Sequence, residues 1–538
     1  MKKHTEPKRH LISFDSHTTP HVFTDVLVIG SGVAGLSAAI EAAKHNSVLV
    51  VAKDKIDENN TAYAQGGIAV VLSDEDTITK HVKDTIDAGQ GLCDTTSAKA
   101  IISEGPKRVK ELIAWGAMFD KENNHLVFTK EGGHRFPRII RAQGDSTGKE
   151  VEHTLIRLVK ESKNIKAFEH TFVIDLITKN GACHGAVAWH AKKGNILIWT
   201  KSTIIATGGC GQVYRETTNP DVATGDGLAM AYRAGATLQD MEFVQFHPTT
   251  LYIAGAVRFL ITETVRGEGG ILRNKRGERF MPKYHPQAEL APRDVVSQSI
   301  LQEMQKTDHT HVYIDVRHIP KERLYSRFPK IREICASFGI DIAKDLIPVR
   351  PSAHYMIGGI KVDRFLRTNI KQLYACGEVA CTGMHGANRL GSNSLLEGLV
   401  TGYEAGIDAC KSIQKARREL LPYTIQESAE SSKISWLDLE DITNSLKSLM
   451  WRDAGIERNE RHLLEAEEMI EMWSRYVLDK EFSNPFGWEL QNMLLVSKLI
   501  VSSARKRKES RGVHHRTDYP KTDNTHWKKH ILIKKTTP

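Results

Sequence analysis

Apolar and polar positions change period along the chain, and each change predicts an element. Val26–Ile29 is a short unbroken apolar run, the mark of a buried strand. It leads into Gly30, Gly32 and Gly35 and then into small and apolar residues at helical spacing. Asp25–Ile40 therefore reads as strand, tight turn and helix. Ser47–Ala52 reads as a second strand ending at Lys53, Ile204–Gly209 as a buried strand running into two glycines, and Leu373–Glu378 as a strand, a glycine turn and a carboxylate. Gly391–Val400 reads as a helix start with Ser392, Asn393 or Ser394 as its cap. Farther on the period becomes helical: Asp438–Trp451, then Glu460–Trp473 with Leu463, Ala466, Ile470 and Trp473 on one face, then Gly487–Arg507. Polar Lys411–Ser435, with Pro422 and the run ESAESS, reads as a linker before these three helices.

Composition narrows the class. A chain of 538 residues, 40% of them hydrophobic, is long enough for two or three domains around a large core. No apolar run approaches the roughly 18 residues of a membrane-spanning helix. Met1–Asp15 lacks the apolar centre of a secretory signal, although Lys2, Lys3, Lys8 and Arg9 make it basic, so a cytoplasmic protein with no membrane span is expected. The seven cysteines are odd in number with no C-x-x-C, which predicts reduced thiols. The net charge of +9 is concentrated, since Val501–Pro538 holds eleven Lys and Arg against Glu509, Asp518 and Asp523. A solvated basic tail is expected there. A field that gathers anionic substrate is the alternative; no nucleic-acid-binding module accompanies the charge, so no nucleic-acid partner is expected.

The glycines of the first turn have separate duties. Gly30 permits the turn, Gly32 lets backbone approach a pyrophosphate, Gly35 lets helix and strand pack closely, and the helix N-terminus offers free N–H groups. A tight turn in any α/β protein would show the same pattern. Lys53 stands where a nicotinamide-binding unit places Asp or Glu against the ribose, which argues against NAD. Thr61–Gly67 (TAYAQGG) ends in paired glycines, suited to backbone lying against a flat ring. Together with ATGG at Ala206–Gly209, GDG at Gly225–Gly227 and YACGE at Tyr374–Glu378, in this order, the set resembles the flavoprotein family of succinate dehydrogenase, fumarate reductase and L-aspartate oxidase. The resemblance covers the chain from about Asp25 to Pro520.

It implies an α/β FAD-binding (Rossmann-like) domain in two pieces, 21–245 and 351–410, with an inserted α+β capping domain (246–350). A linker (411–435), a C-terminal helical bundle of three helices (436–520), a flexible N-terminal segment (1–20) and a basic tail (521–538) complete the division. It implies non-covalent FAD, with Gly30, Ser31, Gly32, Val33, Ala34 and Gly35 at the pyrophosphate and Lys53 on the adenosine side. Asn60, Thr61, Ala62, Tyr63, Ala64, Gln65, Gly66 and Gly67 would meet the isoalloxazine, Asp226 and Glu378 polar groups of the cofactor, and Ser394 and Leu395 the pyrimidine edge. There a helix N-terminus would stabilise charge on the reduced ring. For a dicarboxylate substrate it implies that His354 and Arg389 hold one carboxylate and His247 and Thr262 the other, with Gln245 beside them. Arg forks and His donors match carboxylates. Arg293 is implied as the proton-transfer group, relayed through Glu263 and Arg266.

Two departures separate branches of the family. Respiratory members bind FAD covalently through a His in S-H-T-x-A-A-Q-G-G, and the matching residue here is Asn60. They also carry Phe before a glycine pair, where this chain has Glu131 before Gly132 and Gly133, followed by His134 and Arg135. A carboxylate there could pair with a substrate ammonium, and the change resembles the L-aspartate-oxidising branch. What it implies is oxidation of L-aspartate to iminoaspartate, with FAD reoxidised by oxygen or fumarate, as the first step of NAD biosynthesis through quinolinate; quinolinate synthase would be the next enzyme. The alternative is a soluble fumarate reductase or succinate dehydrogenase flavoprotein subunit. A third reading, from another class, is a non-catalytic FAD-containing protein whose basic tail binds nucleic acid.

Overall fold

The computed structural model describes residues 7–256, 258–416, 419–420, 422–428 and 437–535. The unbroken apolar runs become central parallel strands. β1 (His21–Ile29) passes into α1 (Val33–Ala42) and then β2 (Val48–Val51), every residue of which is buried. β3 (Ile165–Phe168) extends the sheet on one side, and the meander β4 (Thr171–Lys179), β5 (Ala182–His190), β6 (Gly194–Ile205) returns to its centre. The order is β3-β2-β1-β6-β5-β4, parallel through the first four strands and antiparallel in the meander. Strands covered on both faces read as apolar runs instead of alternations, which is why period alone located β1 and β2.

A second unit has its own core, including Val296, Ile300, Ile314 and Val349. It holds β7 (Val244–Leu251), β8 (Ile271–Arg273), α2 (Arg293–Lys306), β9 (Val312–Asp315) and β10 (Ile347–Met356), the strands forming an antiparallel sheet in the order β7-β10-β9-β8. The long strands β7 and β10 run straight through the positions 246 and 350 where the inserted domain was expected to begin and end. β11 (Leu373–Ala375) then rejoins the first sheet beside Thr203–Ile205.

α3 (Asn393–Ala416) lies along α1 because glycine recurs every fourth residue on its inner face. A Cβ on Gly402 would sit 2.2 Å from Ala34 O, one on Gly398 2.7 Å from Val33 Cγ1, and one on Gly406 2.7 Å from Ala38 O. The two helices run parallel, so both N-termini open on the same cleft. Three helices close the chain: α4 (Leu439–Asp453), α5 (Glu460–Val477) and α6 (Pro485–Lys506). Asp438, Asn459 and Asn484 cap them by accepting the N–H of Asp441, His462 and Gly487. Leu463, Ala466, Ile470 and Trp473 form the buried stripe that their spacing predicts. All seven cysteines are free thiols.

Three expectations are corrected. The linker does not begin at 411, since α3 continues to Ala416; residues 417–418, 421 and 429–435 of that stretch lie outside the described residues. Nor is the N-terminal segment loose from residue 7 onward. Leu11, Ile12 and Phe14 enter the core, Arg9 donates to Leu176 O and Thr178, and Phe14–Asp15 pairs with Gln426–Glu427; residues 1–6 lie outside the described set. Finally, the basic C-terminal stretch is docked through residue 535. Arg507, fully buried, bonds Glu242 and Glu509 and donates to Trp527 O and Lys529 O, and Leu532–Ile533 pairs with Leu238–Gln239. A local charge count could not see that Glu242, more than 200 residues upstream, pairs with Arg507.

His530 lies 2.6 Å from Asp240 Oδ2, and chiefly because of that hydrogen bond its pKa is raised. Its contribution is therefore fully present below pH about 6.5 and is lost as pH rises through the raised folded value. The Ile531 N–H, which donates to Asp240 Oδ1, should lose exchange protection between pH 6 and 9 in the wild type. In His530→Gln, protection corrected for intrinsic rates should be flat across that range; the same slope in both proteins would refute the coupling.

Candidate active site

Where β1 meets α1, the chain closes on its neighbour at van der Waals limits. Gly30 has φ +110°, and a Cβ there would sit 2.2 Å from Ala206 O; a Cβ on Gly35 would sit 2.0 Å from Gly30 O. Only glycine fits either position. Ser31, Gly32, Val33 and Ala34 line a long cleft that continues past Lys53 on one side and along Asn60, Thr61 and Tyr63–Gly67 on the other; Gly35 and Ala62 stand behind this lining. Asp226, Glu378, Ser394 and Leu395 line the same cleft.

The cleft suits an extended, polar, flat-ended cofactor. Gln65 Oε1 and Thr207 Oγ1 are buried in its wall without a hydrogen-bond partner among the described residues, as groups awaiting a ligand would be. Ser392 Oγ bonds Glu131, and Asn393 holds His81 and Thr85, so the residues expected to cap α3 have other duties at its first turn. Burial pushes the Glu378 carboxyl up to about 7; it accepts the Met356 N–H and, at 3.4 Å, Asn60 Nδ2. At the far end Lys53 Nζ donates to Thr224, Asp226 and Glu489, while Asn492 Nδ2 donates to Asp226. Burial would lower the Lys53 pKa, but Asp226 and Glu489 outweigh it and raise it. Lys53 and Asp226 thus hold each other, and Glu489 and Asn492 brace them from α6, behind the lining. Sequence reading named neither, because nothing local marks them.

At the opposite end the two units meet. Gln245 and His247 alternate onto one face of β7. A register shift between Gln245 and Phe246 in the β7–β10 ladder brings the His247 and His354 rings to 5.2 Å. Thr218 Oγ1 lies 2.8 Å from His354 Nδ1 and fixes that ring. Both imidazoles are held neutral, His247 by burial and then Arg293 and His354, His354 by burial and then Arg389 and Arg293. Thr262 leads into a single helical turn in which Glu263 and Arg266 share a face. Arg293 opens α2 and donates from Nε to Glu263 Oε2 at 2.7 Å; Arg266 Nη2 lies 3.7 Å from Glu263 Oε1. Burial would raise the Glu263 carboxyl, yet the two arginines hold it below its ordinary value.

Gln245 Oε1 accepts from both Arg293 Nη1 (3.3 Å) and Arg389 Nε (3.2 Å), and its amide is fixed on Asn388 Oδ1 and Arg389 O. Arg389 stacks 4.1 Å above the Tyr355 ring, and burial, then Arg293, lowers its pKa to about 10. Glu131, only 3% exposed, is no surface carboxylate; it accepts from Arg141 and Ser392. A Cβ on Gly391 would lie 3.0 Å from Glu131 Oε2, 3.1 Å from Arg293 Nη2 and 3.5 Å from Glu263 Oε2, which puts all three groups around one point. Glu131, His247, Thr262, Glu263, Arg293, His354 and Arg389 line the cleft, whereas Gln245 and Arg266 stand behind it. Tyr355, Arg141 and Ser392 were missed as site residues. Tyr355 had a weak signal, its place beside His354; Arg141 had none.

If the Gly30 turn forms the cofactor end of the cleft, Gly30→Ala should purify with little flavin per polypeptide, read as absorbance after acid release. Flavin at wild-type ratio in that variant would sink the assignment.

The family described as "FAD binding domain" matches residues 25–395, and "Fumarate reductase flavoprotein C-term" matches residues 443–538. Among curated relatives, "L-aspartate oxidase, chloroplastic" of Arabidopsis thaliana is 42% identical over 95% of this chain and 83% of its own length. "L-aspartate oxidase" of Yersinia pestis is 41% identical over 92% of this chain and 96% of its own. Among solved structures, an E. coli quinol fumarate reductase chain superposes with a TM-score of 0.89 at 32% identity, over 95% of this chain and 94% of that one. With the glycine turn, the cleft lined by arginine and histidine and these likenesses in agreement, the chain belongs to the FAD-dependent flavoprotein family of L-aspartate oxidase, fumarate reductase and succinate dehydrogenase.

Proposed function

We infer that this protein is an FAD-dependent oxidoreductase that oxidises L-aspartate to iminoaspartate, the entry step of NAD biosynthesis. The observation that carries the substrate choice is Glu131, a carboxylate fixed in the wall of a pocket otherwise lined by arginine and histidine. A dicarboxylate that also bears an ammonium is the ligand those charges match.

In this reading Arg389 and His354 hold one substrate carboxylate and His247 and Thr262 the other, while Glu131 receives the ammonium. Bound FAD supplies the hydride acceptor. The protein's own part is to hold the substrate Cα in one orientation, to exclude water beneath the capping unit, and to relay the released proton at Arg293, which passes a proton of its own to Glu263 as it receives one. An arginine rarely gives up its proton, so Arg293 needs the neighbouring carboxylate; Glu263 bonds it directly, and Arg266, behind Glu263, has Nε and Nη2 buried without a hydrogen-bond partner among the described residues. FAD is held non-covalently, on the ground that Asn60 has no side chain for a flavin bond. Oxygen or fumarate as electron acceptor, hand-over of product to quinolinate synthase and a cytoplasmic location belong to the same reading and rest on resemblance. Among the described residues no helix is long and apolar enough to cross a membrane.

The purified protein should be yellow, should release its flavin into the supernatant on acid precipitation, and should bleach with L-aspartate, but far more slowly with succinate, when oxygen is excluded. Bleaching by succinate in preference would favour the respiratory reading; fluorescence that stays with the denatured chain would rule out the non-covalent one.

Glu131→Gln removes a charge-assisted contact, so L-aspartate efficiency should fall roughly ten- to a hundredfold. Fumarate, followed by its perturbation of the flavin spectrum, should bind as well or better. An unmoved ratio of the two in one preparation would remove Glu131 from substrate choice.

A further inference from the structure

Glu131 does not stand alone in the pocket wall. Arg141 donates from Nη2 to its Oε1 at 2.8 Å, and Ser392 Oγ donates to its Oε2 at 2.8 Å. The Arg141 and Glu131 side chains are 3% and 1% exposed. Ser392 reaches the carboxylate from a left-handed backbone, φ +60°, which non-glycine residues seldom adopt and which persists only where the surroundings enforce it. Arg327 and Glu268, the next charges along, pair with each other at 3.4 Å, so Glu131 is the ion-pair partner of Arg141 among the described residues.

On the cleft side the backbone nearest the carboxylate is glycine, with Arg293 Nη2 and Glu263 Oε2 around the same point. A Cβ on Gly66 would lie 3.5 Å from Ser392 Oγ and 4.0 Å from Glu131 Oε1, and one on Gly391 3.0 Å from Glu131 Oε2. Glu131 lines the cleft and Arg141 stands behind it, so the carboxylate is gripped from behind.

The charge balance gives the grip a purpose. A ligand with two carboxylates is drawn by Arg293 and Arg389, and an uncompensated Glu131 beside it would oppose binding strongly in so little water. L-Aspartate brings its own compensation, the ammonium. Fumarate and succinate bring none. We propose that Arg141 is the residue that lets this one pocket take both kinds of dicarboxylate: it offsets the Glu131 charge when the ligand has no ammonium, and with Ser392 it keeps the carboxylate in place for the ammonium when there is one. The proposal rests on the reading of Glu131 as the ammonium partner. Arg141 acts through Glu131 and is a positioning residue.

The test compares L-aspartate efficiency with fumarate affinity, from the flavin spectral change, in wild type, Glu131→Gln, Arg141→Gln and the double variant. Arg141→Gln should weaken fumarate at least about tenfold more than it weakens L-aspartate, a shift opposite in sign to that of Glu131→Gln. In the double variant fumarate should bind within about threefold of Glu131→Gln alone, because no charge is left for Arg141 to offset. If Arg141→Gln does not fold, the double variant, which buries no unpaired charge, carries the test. Fumarate affinity in the double variant tenfold or more below that of Glu131→Gln overturns the proposal, since Arg141 would then attract the dianion directly. An unmoved ratio in Glu131→Gln overturns the reading of Glu131 and this proposal with it. A moved ratio there, without the opposite shift in Arg141→Gln, overturns this proposal alone.

Discussion

Two buried guanidinium groups share one oxygen: Arg293 and Arg389 both donate to Gln245 Oε1. Holding like charges together away from water is costly unless each is countered nearby. Glu263 answers Arg293, the Tyr355 ring lies under Arg389, and Glu131 closes the other side of the pocket with its charge already offset by Arg141. What is left over is positive charge facing the cleft, and a ligand with two carboxylates completes it. In the proposed reading this charge balance favours such a ligand before any single contact to it is counted.

The scaffold converges on that charge arrangement from distant parts of the chain. Register-shifted strands bring Gln245, His247 and His354 together, the first residue of α2 supplies Arg293, and the turn before α3 supplies Arg389 and Ser392. The segment Glu131–Gly132 serves two purposes at once. Its carboxylate lines the pocket, while the Gly132 N–H donates to Glu263 Oε1 at 3.1 Å, and a Cβ on Gly132 would lie 2.4 Å from that oxygen. In the proposed reading, substrate recognition and the proton relay are coupled through this one peptide. At the cofactor end, Lys53 ties the first sheet to Glu489 of α6, so α6 braces the cleft from behind.

Much of this was legible in the residues alone. Unbroken apolar runs followed by glycines located β1, β11 and the end of β6, and the spacing of Leu463, Ala466, Ile470 and Trp473 located α5, because burial on two faces or on one stripe writes directly into local composition. Gly30 and Gly35 were legible for the same reason: a backbone contact near 2 Å to a would-be Cβ admits no other residue. Resemblance to a family then named the carboxylate-binding set. What no local pattern carried were the pairings over long separations. Arg507 looked like part of a solvated basic tail until Glu242 was seen beside it, Lys53 gave no sign of Glu489, and nothing marked Arg141 as the partner that fixes Glu131. The sequence by itself determined the elements and the glycine turn, since those follow from period and steric necessity, and its resemblance to a family supplied the residue types of the pocket. Only the tertiary structure decided which charges neutralise which, because ion pairing depends on distance in space, and distance in space is set by the packing of the whole chain.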